Sequence, residues 1–146
     1  MDERAIMEAS SAGRNALIAD SYYRLTGEAL AADLWTAPTA VVAHGTEPSP
    51  RFFYANRRAL SLFRMTASQF IGIESRLSAG PADRAERAAM LAQLNAANVV
   101  RGYRGVRVAG DGTRFTIENA VIWNLLDEAG QNHGQAAAFA DWEPLA

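Results

Sequence analysis

The sequence predicts an α+β domain: a five-stranded antiparallel sheet with helices on one face and a helical N-terminal extension. Three observations lead there. From Tyr103 to Trp142, three apolar, β-prone runs are cut by Gly110-Asp111-Gly112 and Asp127-Glu128-Ala129-Gly130, the pattern of an antiparallel meander. A shorter strand pair precedes it, Thr39–His44 and Arg51–Ala55 around the turn from Gly45 to Pro50. Helical stretches lie before and between these strands, and such segregation marks α+β rather than alternating α/β architecture. A chain of 146 residues that is 49% hydrophobic builds one core. Residues 1–35 read as the extension and 36–146 as the domain.

The elements follow in order. Ile6, Leu17, Ile18, Tyr22 and Leu25 recur at helical spacing across residues 5–32, with Gly13 a divider and Gly27 a stop. Ala29 to Trp35 is expected to add a helical turn. This apolar stripe must bury itself on the sheet or on a second copy. After the strand pair, Asn56 is placed to cap a helix whose apolar face carries Ala59, Leu60, Leu62 and Phe63. Thr66–Gly72 reads as another short helix, and Ser75–Pro81 as irregular. Asp83 is the expected cap of a helix over Arg84–Ala97, with Ala88, Leu91 and Leu94 on one side.

In the meander, a two-residue Asp111-Gly112 turn would set Val108 against Phe115 and Val106 against Ile117. That face continues through Asn119, Val121, Trp123 and Leu125. The other carries Arg107, Thr116, Glu118, Ala120, Ile122 and Asn124, with Arg107 and Glu118 as diagonal neighbours that attract. A one-residue slip would exchange the faces. Both faces of the long strand are partly apolar, so both are expected to be covered.

Composition removes several chemistries. There is no cysteine, hence no disulfide, thiol nucleophile, cysteine-bound zinc or iron–sulfur ligation. All 14 basic residues are arginine, which removes lysine Schiff bases and the P-loop lysine. A net charge of −2 argues against nucleic-acid binding by bulk electrostatics. No apolar run reaches the roughly 18 residues of a membrane span, and the N-terminus lacks a secretory signal, so a cytoplasmic location is expected. His44 and His133 are too isolated to argue for a metal.

A small-molecule site needs apolar walls and a few polar groups. Tyr54, Asn56, Tyr103, Trp123 and Asn124 are such groups in apolar settings. Each has a structural reading too: Asn56 as a helix cap, Trp123 as core, and mid-strand Asn124 and Glu118 as groups needing internal partners. Glu118 with Arg107 reads as an ion pair, structural or ligand-orienting, with the structural reading preferred. Arg76, Arg84 and Arg87 flank the irregular segment and can hold a carboxylate or phosphate through the guanidinium fork. For Arg84 and Arg87, one helical turn apart, solvation or pairing with Asp83 and Glu86 is preferred. Arg76 remains open.

Several phrases converge on one family: Tyr54-Ala-Asn-Arg-Arg-Ala-Leu-Ser-Leu-Phe63, Ser75-Arg-Leu-Ser-Ala79 with Arg84-Ala-Glu-Arg87, Gly105-Val-Arg107, and Phe115-Thr-Ile-Glu-Asn-Ala-Val-Ile-Trp-Asn-Leu125 with Gly134-Gln-Ala-Ala137. Asp20–Gly27 adds to them. Together they resemble the MEKHLA domain, a PAS-related module found as small stand-alone bacterial proteins and at the end of certain plant homeodomain–leucine-zipper regulators. The resemblance implies a PAS-like fold and a sensory or regulatory role, with no reaction attached. Flavin and hydroxycinnamate photosensors of the PAS superfamily attach their chromophore through cysteine, which this chain lacks. Its haem-binding members use a histidine on the long central helix, and Arg76–Ala97 has none. Both are argued against, and the cofactor, if one exists, stays unknown.

The leading expectation is therefore a PAS-like module that binds a small molecule or a protein partner, works as a homodimer and passes its signal to a separate output protein by population shift. No catalytic residue is assigned. The alternative is a small cone-shaped isomerase or cyclase with Glu118 as buried base and Tyr54 or Tyr103 as donor. A third reading is a dimerisation module with a filled core, in which Ala136, Ala137, Ala138 and Ala140 permit close helix packing.

Overall fold

The computed structural model describes residues 2–145. Helices α1 (Glu3–Ser11) and α2 (Asn15–Thr26) open the chain, separated where Ala12 and Gly13 turn to positive φ. In place of the helical turn expected over 29–35, the chain makes bends and then a single turn at 34–36, with no helix. Strands β1 (Ala40–His44) and β2 (Phe52–Ala55) follow, then α3 (Arg57–Phe63) and α4 (Ala67–Phe70). Two 3₁₀ turns, Ser75–Ser78 and Pro81–Asp83, lead into α5 (Arg84–Ala97). The meander is β3 (Val99–Val108), β4 (Arg114–Leu126) and β5 (Asn132–Phe139), and a short β6 (Asp141–Pro144) closes the chain.

The sheet is antiparallel, with order β2-β1-β5-β4-β3. It has six strands rather than five, because β6 continues the line of β5 along the first half of β4, Phe115 opposite Pro144 and Ile117 opposite Trp142. Helix α5 and the 3₁₀ turns lie over one face. Across the other, α2 packs on β4: Trp123 Nε1 donates to Ser21 Oγ at 3.0 Å and to Ile18 O at 3.3 Å. Tyr22 meets the same indole edge-on, 4.9 Å between centroids. Helix α1 guards the edge strand β2, where unpaired backbone groups would invite another strand. There Ser10 Oγ donates to Phe53 O, and Ala55 N donates to Met7 Sδ.

Caps explain where helices begin. Asp2 accepts from Ala5 N, Asn56 from Ala59 N, and Thr66 with Gln69 forms a capping box. Asp83 does not cap α5 as expected. The preceding 3₁₀ turn already carries the chain in helical conformation, so Asp83 itself is αR, and its carboxylate faces Arg114 at 3.8 Å. Asn56 does more than cap. Fully buried, its Oδ1 also accepts from Val41 N at 3.0 Å, and its Nδ2 donates to Leu34 O at 3.0 Å and Thr39 O at 2.8 Å. It ties the segment before β1 to the start of α3.

The meander register differs from the expected one. Val108 pairs with Arg114 and Arg107 with Phe115, because the loop has three residues, not two. Ala109 N donates to Thr113 O, Gly112 N to Ala109 O, and Gly112 takes φ 86°. This is a type I turn followed by a left-handed glycine. Further on, Gly105 pairs with Ile117 but Tyr103 with Ala120 and Val100 with Ile122. An extra residue thus enters β4 near Asn119 (φ 51°), and another enters β3 near Gly102 (φ 66°). Phe115, Ile117, Ala120, Ile122 and Asn124 therefore share a face with Tyr103 and Arg107. Trp123 and Leu125 face α2.

At one place the backbones nearly touch. Gly134 has φ 140°, and a Cβ built there would lie 2.0 Å from His44 O. Gly134→Ala is expected to lose roughly 2 kcal/mol or more, read as a lower urea midpoint; an unchanged midpoint would refute the close approach. Asn56→Ala strands Val41 N and two carbonyls, and is expected to lose on the order of 3 kcal/mol. A loss no larger than an ordinary cap, about 1 kcal/mol, would show that water replaces the amide.

Candidate functional site

Strand alternation brings Tyr103, Gly105 and Arg107 to the face beneath α5. A Cβ on Gly105 would lie 2.4 Å from Tyr103 Oη and 3.0 Å from Arg107 Nη1. Glycine is thus the residue that lets the two neighbouring side chains close over it. Arg107 Nη2 donates to Tyr103 Oη at 3.0 Å, and Tyr103 Oη donates to Glu86 Oε2 at 2.8 Å. Arg107 Nη1 donates to Val106 O at 2.8 Å. The hydroxyl stands between guanidinium and carboxylate, and burial pushes its pKa up.

From the opposite side, α5 lays Arg87, Met90 and Leu91 toward the same space, a helical stripe at i, i+3 and i+4. Arg87 Nη2 donates to Ser75 Oγ at 3.0 Å. Burial, and secondarily the charge of Arg107, pull the Arg87 pKa down to about 10, which leaves it a cation at neutral pH. Between these helical and strand walls is a cavity of about 50 Å³. Its apolar lining comes from Val42, Phe52, Phe63, Met90, Ile117, Ile122 and Phe139, its polar lining from His44, Ser78, Arg87, Arg107 and Gln135. Phe70 and Phe115 back the aromatic wall, stacked on Phe52 and Phe63 at centroid distances of 4.4–5.7 Å.

Two features set the electrostatics. Neither Arg87 nor Arg107 has a carboxylate at ion-pair distance among the described residues, and Arg107 is only 6% exposed. His44 is buried, its Nδ1 sharing a hydrogen with Gly45 O at 3.1 Å. A carbonyl only accepts, so Nδ1 carries the proton and Nε2 is left as an acceptor. Burial, with Arg87 adding to it, pushes the His44 pKa down to about 4.

The sequence-derived candidates divide. Arg107 lines the cavity, and Tyr103 holds it from behind. Asn124 stands one bond further out: its Oδ1 accepts from Gln135 Nε2 at 3.1 Å, and its Nδ2 donates to Asn98 Oδ1 at 3.0 Å. Tyr54 is buried beside the N-terminal helices, and Asn56 has all its hydrogen bonds inside the fold. Trp123 faces α2. Arg76 points outward, its side chain 55% exposed and paired with Glu74 at 2.9 Å, because the 3₁₀ turn directs Ser75 and Ser78 inward instead. Glu118 does not pair with Arg107. The shifted register gives it Arg104 at 3.0 Å, away from the cavity, so an acid–base role has no buried carboxylate here. Arg87, which sequence reasoning favoured as solvated or paired with Asp83 and Glu86, is one of the two cavity cations. Its spacing from Met90, Leu91 and Leu94, in line with the apolar stripe, was the available signal.

The chain belongs to the MEKHLA domain family, whose model matches residues 12–144. No curated protein matches it by sequence. Among solved structures it is similar to a PAS domain from Colwellia psychrerythraea, with TM-score 0.63 and 15% identity, covering 77% of this chain and 90% of that one. It is also similar to a light-oxygen-voltage domain studied with a flavin analogue, with TM-score 0.62 and 18% identity, covering 77% and 82%. For the light-oxygen-voltage domain of the blue-light photoreceptor Aureochrome1 the TM-score is 0.57 at 17% identity, covering 73% and 75%. The fold is PAS-like, as the sequence resemblance implied. No helix among the described residues is long and apolar enough to cross a membrane.

The buried histidine makes stability depend on pH. Its folded pKa of about 4 lies below the ordinary 6.5, so the unfolded chain binds the proton first. The stability its neutral form contributes is complete above pH 6.5 and drains away as pH falls toward 4, by roughly 3 kcal/mol. His44→Gln is expected to flatten the urea-stability profile across that window relative to the parent protein. Parallel profiles would show that His44 titrates normally.

Proposed function

We propose that this domain is a sensory module that takes a small molecule into the cavity between α5 and the sheet and reports occupancy through β4 to α2. The observation that carries the reading is the polar content of a partly enclosed, mainly apolar cavity: Arg87, Arg107, His44 and Gln135 converge where a filled core would need only hydrocarbon. The MEKHLA resemblance, with its sensory expectation, supports it. Strand β4 supplies the route. Ile122 touches the cavity, and the next residue, Trp123, is hydrogen-bonded to α2. A ligand that shifts Ile122 or the Asn124–Gln135 bond changes how Trp123 seats against Ser21 and Tyr22. The outward face of α2, where Tyr23 is 60% exposed, is where a second copy or a separate output protein would read the change in the cytoplasm.

The flavin of the similar light-oxygen-voltage domain does not transfer. The chain has no cysteine for an adduct, and a cavity of about 50 Å³ with two guanidinium groups in its wall has no room for a three-ring chromophore. The isomerase alternative lacks an observation in its favour, since Glu118 lies ion-paired outside the cavity.

The reading is tested by native mass spectrometry of protein purified from its own host, before and after denaturation. A reproducible small mass that leaves on denaturation is expected. Bare protein, together with unaltered hydrogen exchange in α2 on adding host metabolite extract, would exclude the sensor and leave a structural interaction module.

A further inference from the structure

We propose that the cavity receives a compact organic anion, a monocarboxylate with a short apolar tail, whose head sits between Arg87 and Arg107. This rests on the sensor reading above and names its ligand class. The argument starts from cost. A charge withdrawn from water needs a counter-charge or a full set of hydrogen bonds. Two guanidinium groups meet here, and each carries five N–H donors. Arg107 places two of its nitrogens, on Tyr103 Oη and Val106 O; Arg87 places one, on Ser75 Oγ. The carboxylate nearest in the network, Glu86, reaches Arg107 only through the Tyr103 hydroxyl. What remains is a pair of like charges, Arg107 buried and Arg87 half-buried, that face one cavity without a counter-charge and with donors to spare.

The missing component has a definite chemistry. A carboxylate presents two coplanar oxygens to a guanidinium fork and satisfies both charge and donors. The other polar lining groups have their donors committed, Ser78 Oγ to Ser75 O and Gln135 Nε2 to Asn124 Oδ1 and Asn95 Oδ1, and Phe52, Phe63, Met90, Ile117 and Phe139 have none, so these walls suit a hydrocarbon tail better than the third and fourth oxygens of a phosphate or sulfate. Neutral His44 adds no charge and presents a lone pair, which disfavours a second carboxylate. The volume, about 50 Å³, is about a third of the ~150 Å³ that holds benzene, so it seats the head group and first carbons while the end of a short tail lies in the cavity's open mouth. The Gly105 gap lets Tyr103 brace Arg107 from behind, so the guanidinium is held in place before any ligand arrives. Such preorganisation lowers the cost of binding.

The test compares isosteres on the whole chain by calorimetric titration and thermal denaturation at constant ionic strength: butyrate, butyramide and butylamine. Butyrate is expected to bind saturably and raise the melting temperature, butyramide to bind at least about tenfold more weakly, and butylamine not at all. Arg87→Met is expected to weaken butyrate by about tenfold or more while leaving the ligand-free protein as stable as the parent, or more so, because an uncompensated cation is gone. A purely structural arginine would instead lose stability on truncation. Butyramide binding as well as butyrate would overturn the anion while leaving a small-molecule cavity standing. If none of the three binds, the carboxylate class is overturned, and the native mass spectrum judges the sensor reading on its own. Should Arg87→Met fail to fold, the isostere comparison on the parent protein still decides.

Discussion

Strand β4 is the constraint on which the rest of this structure depends, because it is buried on both faces. On one side Phe115, Ile117, Ile122 and Asn124 form the floor beneath α5; on the other Trp123 and Leu125, both 0% exposed, lie under α2. A strand covered on one side alternates apolar with polar residues, and one covered on both cannot. That is why Ala120 to Leu125 reads as a nearly unbroken apolar run. The second cover must come from somewhere, and α2 supplies it, with Arg24 donating to Leu126 O at the strand's far end. The N-terminal helices and the meander therefore share one core. Any displacement of β4 is felt on both sides of the sheet, since its side chains are close-packed and cannot absorb a shift by sliding.

The placement of polar groups follows from the same constraint. On the α2 side the groups that meet the strand are satisfied internally, the Trp123 indole by Ser21 and Ile18 and Ser21 by Leu17 O, while Asn15 Oδ1 at the start of α2 is buried without a partner. On the cavity side they are not all matched. Arg87 and Arg107 keep free donors, and His44 is kept neutral by desolvation. The difference between the two faces is one of charge: the α2 face of the strand meets neutral groups, and the cavity face meets two guanidinium groups. A difference of that kind between two faces of one element is what a site looks like when folding alone does not explain it.

The order of elements was legible in the sequence because it depends on local signals. The Asp127–Gly130 turn, the Asn56 cap and the stop at Gly27 each act within a few residues. What was not legible was register. Gly110-Asp111-Gly112 contains a good two-residue turn and a good three-residue one, and the sequence does not say which closes. The two bulges were hidden for a similar reason: Asn119 tolerates positive φ, and Gly102 permits it, but neither residue demands it. A single register step moved Glu118 from Arg107 to Arg104 and so removed the one buried carboxylate that an acid–base reading required. Arginine direction was hidden too. Arg76 and Arg87 are alike in the sequence, and only the 3₁₀ turn, which rotates Ser75 and Ser78 inward, decides that Arg76 meets solvent and Glu74. For Arg87 the clue existed in its alignment with Met90, Leu91 and Leu94, but solvation or pairing with Asp83 and Glu86 competed with it.

The close approaches at Gly105 and Gly134 show how little tolerance the site has. At Gly134 the backbone of β5 lies against the carbonyl of His44, and at Gly105 two side chains fold over a missing Cβ. Both glycines fix a cavity-lining group, His44 in one case and Arg107 in the other, by excluding any bulk that would let it relax. A loosely packed cavity would permit the two guanidinium groups to turn outward to water and shed their desolvation cost. Here Arg107 is held by hydrogen bonds to Tyr103 Oη and Val106 O and lies close against Gly105. The cation stays in the wall because the surrounding backbone leaves it no other position, and its charge is consequently presented to whatever enters.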